Sequence, residues 1–181
     1  MGMRAILVIN SKTGFTQKYG DIISKKLTLP CISLKELTKQ VIEQHDVIVF
    51  GTRIHAGRLD QLKQLKARLS AFPEKQLVVF TTGATPEAAN EVIARIWHDN
   101  LSDQELKIIP HFYLQSGLNY EKMNVLDKTI MKTAAALMSR KKKKGSTEKG
   151  FEQAIKHSYD ISSEEYALPL IDYLNSVIQA K

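Results

Sequence analysis

The sequence predicts a doubly wound α/β domain built on a five-stranded parallel sheet. Three observations predict it: short aliphatic runs recur from the N-terminus to residue 114, amphipathic helical patterns separate them, and several runs end in loops of Gly, Ser and Thr. Strands joined by helices of this length form right-handed βαβ crossovers, so the sheet is covered on both faces.

The first strand is residues 4–9, Arg-Ala-Ile-Leu-Val-Ile, a run suited to burial on both faces. A helix is expected over 17–27, where Tyr19, Ile22, Ile23 and Leu27 form a core-facing stripe. Residues 31–33 make a short second strand, and 35–43 a second helix with Leu34, Leu37 and Val41 on one side. The third strand, 46–50, ends in Gly51-Thr52, and the helix after it, 59–69, aligns Leu59, Leu62, Leu65 and Leu69. Residues 76–81 form the fourth strand, Pro86 opens a helix running to about 98, and 107–114 form the fifth strand. Beyond it the alternation stops. Met123, Leu126, Ile130, Ala134 and Leu137 mark an amphipathic helix ended by a lysine run, and a last helix spans 164–179.

No linker or internal repeat divides the chain, so residues 1–181 read as a single domain, with the amphipathic helix and basic segment at about 116–150 as an addition. Hydrophobic residues at 43% and charged residues at 25% are ordinary globular values, which excludes disorder as the main state. Most of the formal charge of +7 sits in one place, where Arg140, Lys141 to Lys144 and Lys149 oppose only Glu148. A local run of this kind, with no aromatic residue to stack on a base, argues against nucleic acid as partner. The apolar runs are too short to span a bilayer, there is no signal peptide, and Ile6 occupies the position where a myristoylation signal needs Ser or Thr. A cytoplasmic protein is expected, and the single Cys31 agrees with a reducing compartment. His45, His98, His111 and His157 are scattered, with no metal-binding pair, so no metal is expected; Cys31 reads as a small buried hydrophobe.

Open parallel sheets bind ligands beyond the carboxyl ends of their strands. After the first strand comes Asn10-Ser11-Lys12-Thr13-Gly14-Phe15-Thr16, a hydroxyl-rich loop that opens a helix. Backbone N–H groups at a helix start suit a phosphate, and Ser11, Thr13 and Thr16 add donors; the simpler role for such residues is to cap the helix. There is no Walker A loop and no G-x-G-x-x-G. The carboxylate cluster of a phosphoryl receiver is missing too, since the first and third strands end in Asn10-Ser11 and Gly51-Thr52.

Residues 11–16, Ser-Lys-Thr-Gly-Phe-Thr, resemble the phosphate loop of flavodoxins, which wraps the 5′-phosphate of FMN. The stretch 47–57, Val-Ile-Val-Phe-Gly-Thr-Arg-Ile-His-Ala-Gly, and the stretch 115–120, Gln-Ser-Gly-Leu-Asn-Tyr, are similar to the branch of that fold containing menaquinone-dependent protoporphyrinogen oxidase. The resemblance covers most of the chain and implies a flavodoxin-like sheet of order 2-1-3-4-5 with FMN bound non-covalently. The phosphate would rest on residues 11–16, and Thr52, Arg53, Ile54, His55, Ala56 and Gly57 would flank the ring together with Thr82, Gly83, Ala84, Gly117, Leu118, Asn119 and Tyr120. Small polar loops of this kind let backbone groups approach the edges of a flat heteroaromatic ring, and Tyr120 would add stacking area.

Arg53, His55 and Arg58 place positive groups in a loop without a carboxylate. A unit charge at about 4 Å is worth about 4 kcal/mol at an effective dielectric near 20, enough to favour an anionic reduced flavin. The function expected is electron transfer or quinone-linked oxidoreduction, with a redox partner protein or a quinone-like small molecule as partner. A protoporphyrinogen oxidase-type enzyme is the narrower alternative, and a cofactor-free binding module is the alternative from another class. The segment 123–144, an apolar stripe leading into Arg140 and four lysines, suggests peripheral contact with an anionic membrane.

Overall fold

The computed structural model describes residues 2–123 and 157–179. The amphipathic helix and the lysine run, which begin at Met123, lie outside the described residues from position 124 onward.

Strand β1 (Ala5–Asn10) pairs with β2 (Cys31–Ser33) on one side and with β3 (Val47–His55) on the other. Strand β3 continues to β5 (Gln76–Gly83) and that to β6 (His111–Gln115), every pairing parallel. The order β2-β1-β3-β5-β6 is the expected 2-1-3-4-5 arrangement, to which a two-residue antiparallel strand β4 (Arg58–Leu59) is added on β3. Helices α1 (Phe15–Leu27), α2 (Lys39–Gln44), α3 (Leu62–Leu69), α4 (Asn90–Asn100) and α5 (Asp103–Ile108) fill the crossovers, and α6 (Leu168–Gln179) returns to the sheet.

The aliphatic runs look continuous because both faces are buried, but successive side chains still point to opposite sides. Leu7, Ile9, Val49 and Phe80 join Tyr19 and Ile23 of α1 and Leu170, Ile171 and Leu174 of α6 in one core. Ile6, Val8, Ile48 and Phe50 join Leu62, Leu65 and Leu69 of α3 and Trp97 of α4 in the other. Each aliphatic side chain so buried contributes about 1.5–3 kcal/mol relative to exposure.

The structure departs from the expected elements where local polar chemistry overrides the apolar pattern. The second helix splits, because Ser33 and Thr38 are both extended and each starts its own turn: a 3-10 helix at Leu34–Glu36, then α2, whose Val41 N–H donates to Thr38 Oγ1 at 3.2 Å. The third strand runs on past Gly51-Thr52 to His55. Ala56 (φ 49°) and Gly57 (φ 78°) supply the two positive-φ positions that a tight two-residue hairpin needs, so the chain turns into β4, and Leu59 becomes a strand residue. The helix after Pro86 begins only at Asn90, behind a turn closed by the Ala89 N–H on the Pro86 carbonyl. The fifth parallel strand starts at His111 and not at 107, because Ser102 and Glu105 form a reciprocal capping box that winds residues 103–108 into α5.

Candidate functional site

The carboxyl ends of β1, β3 and β5 and the chain after β6 meet around a cleft of about 280 Å³, close to the lower end of the roughly 300–1,000 Å³ typical of small-molecule sites. Its walls include Thr13, Phe15, Ile54, Gly83, Leu118 and Met123.

The first wall is the loop between β1 and α1. Gly14, with φ 100°, is the N-cap of α1 and no side chain caps that helix, so the capping role open to Ser11 and Thr13 is not the one they take. Thr16 is buried, its Oγ1 2.9 Å from Thr82 Oγ1, which ties the first turn of α1 to the end of β5. Each hydroxyl has one proton and two lone pairs, so this pair retains a proton to give elsewhere. Ser11 Oγ is buried and has no partner among the described residues. Lys12 is exposed.

The second wall is the β3–β4 hairpin, where the sequence suggested an irregular loop. Thr52 Oγ1 donates to the Asp60 carbonyl at 2.6 Å and accepts from Asn10 Nδ2 at 3.2 Å. The Asp60 N–H donates to the Arg53 carbonyl, and Arg53 Nε lies 3.3 Å from Asp60 Oδ2. Asp60 thus brings a carboxylate to a cluster of cations that the residues 51–58 seemed to leave uncompensated. Arg53, Ile54, His55, Ala56 and Gly57 all line the cleft, whereas Arg58 turns to the Asp99 carbonyl.

The third wall is the end of β5 with Thr82, Gly83, Ala84 and Thr85. A side chain on Gly83 would begin 3.0 Å from the Tyr113 hydroxyl and 3.2 Å from Ile54 Cδ1, so either neighbour would have to give by a few tenths of an ångström. The Tyr113 hydroxyl donates to the Thr85 carbonyl at 2.7 Å, and the Tyr159 hydroxyl lies 3.5 Å from the Ala84 carbonyl. Burial raises both phenols above the ordinary tyrosine range and keeps them protonated as donors.

The fourth wall follows β6. Ser116 donates its N–H to the Gly83 carbonyl at 2.8 Å, and β7 (Gly117–Leu118) pairs antiparallel with β8 (Tyr159–Asp160). A side chain on Gly117 would begin 1.9 Å from the Tyr159 carbonyl oxygen, which explains the glycine. Asn119 Nδ2 donates to the Thr13 carbonyl at 3.4 Å, linking this wall to the first. Tyr120 is not part of the lining; its N–H donates to Ser158 Oγ at 2.9 Å, and burial raises its phenol.

The structure therefore gathers all four predicted segments at one end of the sheet. The sequence did not single out Asp60, Thr85, Ser116 or Met123 as part of this end of the sheet. Among the described residues no group of His, Cys, Asp and Glu is arranged to hold a metal, and no helix is long and apolar enough to cross a membrane. Cys31 is half-buried, and burial raises its thiol pKa.

A family model described as a flavodoxin domain matches residues 6–148. No curated protein sequence matches the chain. Among solved structures, a flavodoxin, WrbA-like protein from Agrobacterium tumefaciens shares 14% identity over 85% of this chain and 96% of its own, with a TM-score of 0.42. Oxidised flavodoxin 1 from Bacillus cereus shares 15% identity over 76% of this chain and 98% of its own, with a TM-score of 0.42. A putative flavoprotein from Bacteroides uniformis shares 12% identity over 73% and 99% of the two chains, with a TM-score of 0.46.

Proposed function

The chain belongs to the flavodoxin domain family, and on that premise we propose that its cleft binds FMN non-covalently for electron transfer or quinone-linked oxidoreduction. One observation carries the reading: a helix N-terminus capped only by a glycine stands next to Ser11, whose buried hydroxyl has no partner among the described residues. A buried polar group without a partner costs about 1–3 kcal/mol, and a phosphate on the loop would supply the partner. The residues fit the rest of the cofactor as well. The hairpin and residues 82–85 bring backbone to the cleft, and Phe15, Leu118 and Met123 supply apolar surface. Bound flavin supplies reversible one- and two-electron chemistry. The chain's own part is to hold the phosphate, exclude water from the ring, and set the local charge through Arg53, His55 and Asp60.

The partner is a redox protein or a quinone-like molecule reaching the open side of the cleft. A protoporphyrinogen oxidase-type reaction with menaquinone is the narrower form of this reading and rests on the resemblance of residues 47–57 and 115–120. Cytoplasmic placement with peripheral contact to anionic membrane through residues 123–144 would bring the site near such quinones.

The test is titration of the purified protein with FMN and with riboflavin, followed by flavin absorbance and fluorescence. Tight FMN binding is expected, and Ser11→Ala with Thr13→Ala weakens FMN by about 10- to 100-fold while changing riboflavin by less than about threefold. Equal losses for both ligands would sink the phosphate assignment. Absence of any flavin binding would favour a cofactor-free module instead.

A further inference from the structure

We propose that Lys122, a residue outside the loop between β1 and α1, contributes a cation to this phosphate site. The inference rests on the FMN reading above. It starts from distance: the Lys122 ammonium nitrogen lies 3.5 Å from the point where a side chain on Gly14 would begin, directly beside the N-cap of α1. Lys18, the lysine in the first turns of that helix, is committed elsewhere, with its Nζ 2.7 Å from Asp160 Oδ2.

The position of Lys122 is built rather than incidental. Asn119 Oδ1 accepts the Lys122 N–H at 3.1 Å, while Asn119 Nδ2 donates to the Thr13 carbonyl at 3.4 Å. One amide side chain therefore fixes the lysine backbone and the phosphate loop to each other. The Met123 N–H closes the turn on the Tyr120 carbonyl at 3.3 Å, and the Tyr120 N–H is anchored to Ser158 Oγ. The same hydroxyl donates to Glu121 Oε2 at 2.6 Å, so the neighbouring carboxylate is oriented toward residue 158.

Two consequences follow from the chemistry. A dianionic phosphate gains a charge-assisted partner that riboflavin cannot use, so Lys122 is a specificity-determining residue for the phosphorylated flavin. Met123, the next residue, lines the cleft, so a phosphate that draws in Lys122 also fixes the wall beside the ring.

The experiment measures dissociation constants of FMN and riboflavin for wild type, Lys122→Gln and Lys122→Arg at 50 mM and 500 mM NaCl. At low salt Lys122→Gln is expected to lose about fivefold to tenfold in FMN affinity, with riboflavin unchanged within about twofold and Lys122→Arg close to wild type. At 500 mM, where the Debye length is about 4 Å, the gap between wild type and Lys122→Gln narrows to about twofold. FMN binding by wild type that prefers FMN to riboflavin, with Lys122→Gln indistinguishable from it, overturns the role of Lys122 and leaves the FMN reading standing. A loss shared equally by riboflavin, or one insensitive to salt, overturns it as well. Failure of wild type to bind FMN overturns both.

Discussion

The two central strands end in opposite ways. Strand β1 stops at Asn10 and releases a loop whose buried hydroxyl on Ser11 has no partner among the described residues and whose helix lacks a side-chain cap. Strand β3 continues into a hairpin that satisfies itself: Thr52, Asn10, Arg53 and Asp60 bond one another within a few ångströms. The first region holds one buried hydroxyl, on Ser11, with no partner among the described residues, and the second has its partners already in place. A buried hydroxyl without a partner is costly and calls for an explanation, while a network with its partners in place marks a rigid frame.

Gly51 lies at the root of the self-satisfied strand, and a side chain there would begin 2.2 Å from the ring of Phe80, itself fully buried. Gly51→Ala is expected to cost about 3 kcal/mol through overpacking, lowering the melting temperature by roughly 6–12 °C with or without ligand. Calorimetry showing less than about 1 kcal/mol would mean the frame is softer than its packing implies.

Thr52→Val removes one hydroxyl from the hairpin network at nearly constant shape. Its expected cost is about 1–2 kcal/mol in the free protein, since the Asp60 carbonyl loses its 2.6 Å donor and Asn10 Nδ2 loses an acceptor. Chemical denaturation without flavin checks it, and an unchanged midpoint would erase the contrast between the two regions.

Ser11→Ala sharpens the comparison from the other side. Removing a buried hydroxyl that has no partner among the described residues should leave the free protein within about 0.5 kcal/mol of wild type, or make it slightly more stable, while the melting-temperature rise on adding FMN shrinks. A destabilised free protein would show that Ser11 serves the frame after all.

How much of this was legible in the sequence follows the same division. The sheet was readable because its strands are buried on both faces and stand out as uninterrupted aliphatic runs, Ala5 to Ile9 and Val47 to Phe50 among them. The loop between β1 and α1 stood out because Ser11, Thr13 and Gly14 closely follow such a run. The hairpin was not, since Ala56 gives no hint of the left-handed backbone it adopts, and the usual Asn-Gly or Asp-Gly turn signal is absent. Asp60 was missed for the same reason: its bonds to Arg53 exist only once the chain folds back. The Ser102 to Glu105 spacing is legible in the sequence as a capping box, and it prevails over the strand expected from residue 107, which the β-branched Ile108 and Ile109 favour.

Helix α6 carries a consequence for the order in which the protein can be made. Leu170, Ile171 and Leu174 cover the same face of the sheet as Tyr19 and Ile23, against β1, β3 and β5. A ribosome adding about 5–20 residues per second needs on the order of 10 s to travel from β3 to α6. For that interval one face of the nascent sheet has α1 over it but not α6, and its remaining apolar surface is open to chaperones or to a neighbouring chain. The arrival of α6 is thus what ends that period of risk.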